Sequence, residues 1–111
     1  WYVGLKNAGS VAAGDTMASH AGWTEDVNYS QSVRQTLTLG TAASGSIDNT
    51  ASKATYSINA TSTIAGAFIT SNNTKSGTSG TLYGVVDFSS ARSVISGDTL
   101  EVTVTLTAAS T

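Results

Sequence analysis

The chain has 111 residues, enough for one domain and too few for two. Charged residues make up 11% and the net charge is -2, with the five basic residues Lys6, Arg34, Lys53, Lys75 and Arg92 scattered; this excludes the clustered basic footprint of a nucleic-acid-binding domain. Cysteine is absent, no apolar run approaches the roughly 20 residues of a membrane helix, and no signal-like segment opens the chain.

Proline is also absent, so the eleven glycines punctuate the chain without it. Trp1–Leu5 is apolar and predicts a first strand. The chain opens inside that strand, and a segment preceding Trp1 is expected to hold part of the function. Gly9–Ser19 is small and polar, with Gly14-Asp15-Thr16 placed to cap one short helical turn at Met17–His20. Trp23–Val27 predicts a short strand. Val33–Leu39 alternates Val33, Gln35, Leu37 and Leu39 against Arg34, Thr36 and Thr38, the period of two of a strand. Gly40–Thr50 reads as a loop. Lys53–Asn59 alternates again, with Ala54, Tyr56 and Ile58 on one face.

Ser62–Thr70 and Thr81–Phe88 are rich in β-branched and aromatic residues and flank a polar stretch, Asn72–Gly80. That pattern predicts a β-hairpin with a long tip, flexible at Ser76–Gly80. Ser90–Ser96 reads as an irregular link and Gly97-Asp98 as a turn. Thr99–Thr107 is the clearest strand, with Leu100, Val102, Val104 and Leu106 alternating against Thr and Glu. Ala108–Thr111 reads as a frayed end. No window supports a long helix. The fold class expected for 1–111 is all-β: a single antiparallel β-sandwich or flattened barrel of six to eight short strands.

The reactive residue types are few. His20 is the only histidine, and no nucleophile motif accompanies it; a structural hydrogen bond in the Ser19–Gly22 loop is its expected role. Asp15, Asp48 and Asp98 stand in turn contexts, where Asp bonds its own backbone. Glu25 and Asp26 are adjacent, so on a strand they point to opposite faces. Asp48-Asn49 and Asn72-Asn73 fall short of a calcium loop. Three triplets, Asn28-Tyr29-Ser30, Asn59-Ala60-Thr61 and Asn72-Asn73-Thr74, match the glycosylation pattern, as expected by chance in a Ser/Thr-rich chain. Trp1, Tyr2, Trp23, Tyr29, Tyr56 and Tyr83 are expected as core or interface anchors rather than a sugar platform. No catalytic, cofactor or metal site is assigned.

Several stretches together carry a resemblance. They are Trp1–Leu5, Ala12–Glu25 with its Ala-Gly-Asp-Thr-Met-Ala-Ser-His-Ala-Gly-Trp-Thr core, Ser46–Tyr56, Ile64–Ser71 and Val94–Leu100. As a set they resemble a group of small proteins encoded in tailed-bacteriophage and prophage genomes, over nearly the whole chain. The resemblance implies a virion structural protein with no catalytic motif. Its implied role is capsid decoration, or cement, on the outer surface of the head, with the major capsid protein as partner. Decoration proteins by analogy imply a homotrimer. Members carry residues before the Trp-Tyr strand, so anchoring is expected there and in Trp1, Tyr2, Val3 and Leu5. Asn72, Asn73 and Lys75 on the tip are the other candidate contacts with the capsid or a neighbouring subunit. The alternative is a carbohydrate- or receptor-binding module of a tail fibre or spike, using Trp23, Tyr29 or Tyr83 beside Asn72 and Asn73.

Overall fold

A computed structural model describes residues 1–107. It holds nine strands: β1 (Tyr2–Lys6), β2 (Glu25–Asp26), β3 (Gln35–Thr36), β4 (Ser46–Asp48), β5 (Ala54–Ser57), β6 (Ser62–Thr70), β7 (Leu82–Val94), β8 (Thr99–Val102) and β9 (Thr105–Thr107). A 3-10 turn at Thr50–Ser52 is the only helical element among the described residues. Every named strand pairing is antiparallel. The fold is the expected all-β sandwich.

The main sheet runs β2-β1-β6-β7, with β3 beside β2 on the same side of β1. Two small ladders, β4–β9 and β5–β8, complete the structure. Alternation along β1 sends Val3 and Leu5 to one face. There they join Ile64, Ala67, Tyr29, Tyr56, Ile58, Ala54, Val94 and Val102 in the larger core. Phe68 packs with Met17 and Trp23 in a second cluster. The loop before β2 therefore covers a face that would otherwise be wet. A Cβ on Gly4 would enter the Phe68 ring, so glycine here is a packing requirement.

Several expectations hold at residue level. β6 has the predicted bounds, and Ala54, Tyr56 and Ile58 are all buried. Others need correction. The segment Ser90–Ser96 is not an irregular link, because β7 continues to Val94. Backbone pairing with Ser62–Ile64 holds it there, and that pairing does not need apolar side chains. Gly66 pairs with Asp87 and Ile64 with Arg92, so the four residues 88–91 bulge opposite residue 65.

The alternating stretch Val33–Leu39 forms a ladder only at Gln35–Thr36. Trp23–Val27 shrinks to Glu25–Asp26. Met17–His20 is not a helical turn; Thr16 and Ser19 exchange backbone bonds instead, and Met17 is buried beneath them. The loop Gly40–Thr50 contains a strand, β4, because β9 is there to pair with it. These changes give nine strands where six to eight were expected. The expected frayed end, Ala108–Thr111, lies outside the described residues.

Thr99–Thr107 is likewise two strands, and the buried side chain of Asn49 explains the break. Its Nδ2 donates to the Val102 carbonyl at 3.1 Å, and its Oδ1 accepts from the Val104 amide at 2.7 Å. The chain thus leaves β5 and joins β4 around one amide. Asn49→Ala strips partners from two backbone groups. An unsatisfied buried group costs about 1–3 kcal/mol, and a loss of that size is expected as a lower urea midpoint with an unchanged slope.

Candidate functional site

Most of the polar residues singled out in the sequence are already engaged inside the fold. The His20 ring stacks on Trp23 with centroids 3.9 Å apart. Its Nδ1 lies 2.9 Å from the Trp23 carbonyl, which can only accept, so Nδ1 carries the proton. This is the loop hydrogen bond the sequence led us to expect. Asp15 accepts from the Ala12 amide and from Trp23 Nε1, at 2.9 and 3.0 Å. Asp48 and Asp98 bond the nearby amides of Thr50 and Ile95. Those bonds from Thr50 hold the Asp48 carboxyl below its usual range. Glu25 and Asp26 do diverge: Glu25 meets Arg34, and Asp26 accepts from Ser62 Oγ and the Asn28 amide. Among the described residues no three His, Cys, Asp or Glu side chains gather as a metal site would need.

The tip Asn72–Gly80 is hydrogen-bonded to the body at several points along its length. Arg34 lies fully buried beneath it. Its Nε and Nη2 grip the Glu25 carboxylate at 2.9 and 2.7 Å, and Nη1 and Nη2 donate to the Asn72 and Gly77 carbonyls. Glu25 in turn accepts from the Ser76 amide at 3.0 Å. Lys75 Nζ donates to the Tyr29 and Gln31 carbonyls at 2.8 and 2.9 Å and sits 4.1 Å above the Tyr29 ring. The Asn72 side chain closes the loop on itself, to the Thr74 amide and to Ser79. The Asn73 carbonyl accepts from the Arg34 amide. The Lys75 ammonium and the Asn72 amide are therefore bonded within the fold rather than turned outward.

At the other end of the candidate set, Val3 and Leu5 are fully buried. Their side chains build the core and are unavailable to a capsid. Tyr2 is half-buried. Trp1 remains exposed, at 53%, and meets Tyr83 edge-on at 5.6 Å. Tyr83 is 60% exposed and Val86 64%. Tyr83 and Val86 border a groove of about 350 Å³ between β7 and β8–β9, with Ile69, Val104 and Leu106 in its walls. A smaller hollow of about 140 Å³ under Trp1, Leu37 and Leu39 shares Ile69, Tyr83 and Leu106 with it. No charged residue lines either one.

No family model, curated protein or solved structure matches the chain. Among the described residues, Trp1, Tyr83 and Val86 are exposed apolar side chains beside these hollows. Tyr83 and Val86 have the β propensity of any strand residue. Nothing in the alternation says that β7 would lack an outer neighbour, so Val86 reads only as hairpin, while Tyr83 is marked as a core or interface anchor by its side-chain type alone.

Proposed function

We propose that this chain is a structural protein of a tailed-bacteriophage virion. In this reading it is a capsid decoration protein that strengthens the head by binding across capsomers on its outer surface. The apolar face around Trp1, Tyr83 and Val86 carries the proposal. Contiguous apolar surface on a folded domain marks a place where another macromolecule sits. The family resemblance supplies the kind of macromolecule: the major capsid protein and further copies of this chain, with a homotrimer as the expected assembly. A protein that binds only the assembled shell stabilises that shell by mass action. Repetition over many symmetric sites turns modest contacts into high avidity. The role needs no reaction, and the engaged states of His20, Asp15 and Glu25 are in keeping with that.

The glycan-binding alternative loses support from two of its three aromatics, since Trp23 and Tyr29 are buried. The test is to mix purified protein with undecorated heads of the phage or prophage that encodes it. Co-sedimentation and a raised shell-disruption temperature are expected. Saturable glycan binding without any association with heads would overturn the proposal.

A further inference from the structure

We propose that an extended segment of the major capsid protein adds as a strand along the free edge of Thr99–Thr107, filling the groove between that edge and β7. The inference rests on the capsid reading for the source of the segment. It goes beyond that reading in naming the edge, the backbone groups and the shape of what binds.

The two layers of the sandwich are unequal. The main sheet is four strands wide along β2-β1-β6-β7, whereas β4–β9 and β5–β8 make a second layer two strands wide. The mismatch falls at β7. Val86 pairs directly with Ala67, so the two side chains share the inward face. Ala67 is 5% exposed and Val86 64%. The inner face of β7 is built like core and left without a cover.

The opposite edge is able to carry the missing strand. The Val102 carbonyl and both backbone groups of Val104 bond Asn49, on the β4–β5 side. Backbone groups of an extended chain alternate between its two sides. Thr103 and Thr105 therefore turn theirs towards the groove, and both residues line it. Burial alternates from Thr99 to Thr107 without a slip. β7 lacks that regularity, since its register shifts twice against β6; it supplies an apolar wall and not the pairing edge. Residues 102–107 contain no Pro and no charge, the usual means of blunting an edge.

These features select an extended chain. A purely apolar ligand would bury the amides and carbonyls of Thr103 and Thr105 without partners, and a helix has spent its own backbone groups internally. A strand supplies donors and acceptors at the matching repeat, with alternate side chains for the apolar wall. No charged residue lines the groove beside 102–107. Arg92 and Glu101 flank only the hollow that continues it past Val102. The matching segment is therefore an uncharged run of about six residues, about 20 Å at 3.3 Å per residue. Every second side chain is apolar and faces Ile69 and Val86.

Hydrogen exchange on the full chain, with and without undecorated heads, tests this. Read by mass spectrometry over 102–107, exchange of the Thr103 and Thr105 amides is expected to slow at least about tenfold on heads. Thr103→Pro removes one outward amide at a residue outside both ladders. It is expected to lose the heads and keep its urea midpoint, while Thr103→Ala retains the amide and binds as wild type. Heads that bind without slowing these amides overturn the inference and leave the capsid reading standing, as does a folded Thr103→Pro variant that binds normally. Heads that do not bind sink the capsid reading. The edge is then decided by a synthetic peptide, acetyl-Thr-Val-Thr-Val-Thr-Val-amide: slowed exchange at Thr103 and Thr105 supports strand addition, and unchanged exchange overturns it. The same amides already slow in free protein with the mass of two chains would give the groove to a second copy and overturn the proposal.

Discussion

Arg34→Ala is expected to lower the unfolding free energy by about 3–5 kcal/mol, the usual result of removing one partner from a buried ion pair. The guanidinium is fully buried, and the Glu25 side chain is only 8% exposed. Both oxygens of Glu25 are held by Arg34, so the substitution leaves a carboxylate with neither a cation nor adequate water. It also strips donors from the Asn72 and Gly77 carbonyls, and removes the cation 5.1 Å above the Phe68 ring. A domain of this size has about 5–15 kcal/mol in total, so the variant should be marginal at best. Urea titration followed by tryptophan fluorescence reads the loss, since Trp23 lies in the cluster with Phe68. Glu25→Gln keeps an acceptor for the Ser76 amide and should lose less. A wild-type midpoint for Arg34→Ala, with faster amide exchange confined to 72–80, would show that the clamp holds only the loop.

The second large effect is expected in alkali. Burial pushes the phenols of Tyr29 and Tyr56 well above their usual range. Nearby Glu25 adds to the rise at both, and Arg34 opposes it. In the unfolded chain a phenol ionises near pH 10. Above that pH the unfolded state releases two protons that the native state retains, so stability falls as pH rises. Below pH 10 these groups contribute their full share and no slope. The slope above it is expected to reach about 2.7 kcal/mol per pH unit, at about 1.36 for each proton. Urea midpoints at pH 9, 10, 11 and 12 would measure it. Tyr29→Phe should halve the slope at little cost near neutrality, because the Tyr29 hydroxyl has no hydrogen-bond partner among the described residues. A flat midpoint through pH 12 would mean that these phenols ionise in place.

The local code of the chain was legible wherever the side-chain period alone decides the structure. β6 and the buried triad Ala54, Tyr56 and Ile58 follow from alternation, and the turn roles of Asp15, Asp48 and Asp98 follow from short-range chemistry. What stayed hidden depends on partners distant in sequence. The chain shows an unbroken alternation at Thr99–Thr107, and only Asn49, from a separate stretch, divides it. Arg34 sits at a polar position of an alternating run, yet the loop Asn72–Gly80 folds over it and the position is buried. The same loop is Ser- and Gly-rich, which reads as slack until the cations beneath it are placed. Trp1 and Tyr83 are legible as anchors from their side-chain type, but that Tyr83 and Val86 stand together on an open face was hidden for a related reason. Exposure of Tyr83 and Val86 follows from β7 being the last strand of its sheet, a property of topology rather than of composition.

The position of β1 has a consequence for biosynthesis. Strand β1, made before the other described strands, sits inside the main sheet, with β2 and β3 on one side and β6 on the other. It cannot be enclosed until Thr70 has been made, and β4 waits for Thr107. This domain is therefore expected to stay unstructured on the ribosome until Thr107 has emerged and then to collapse as one unit, rather than folding piecewise during its synthesis.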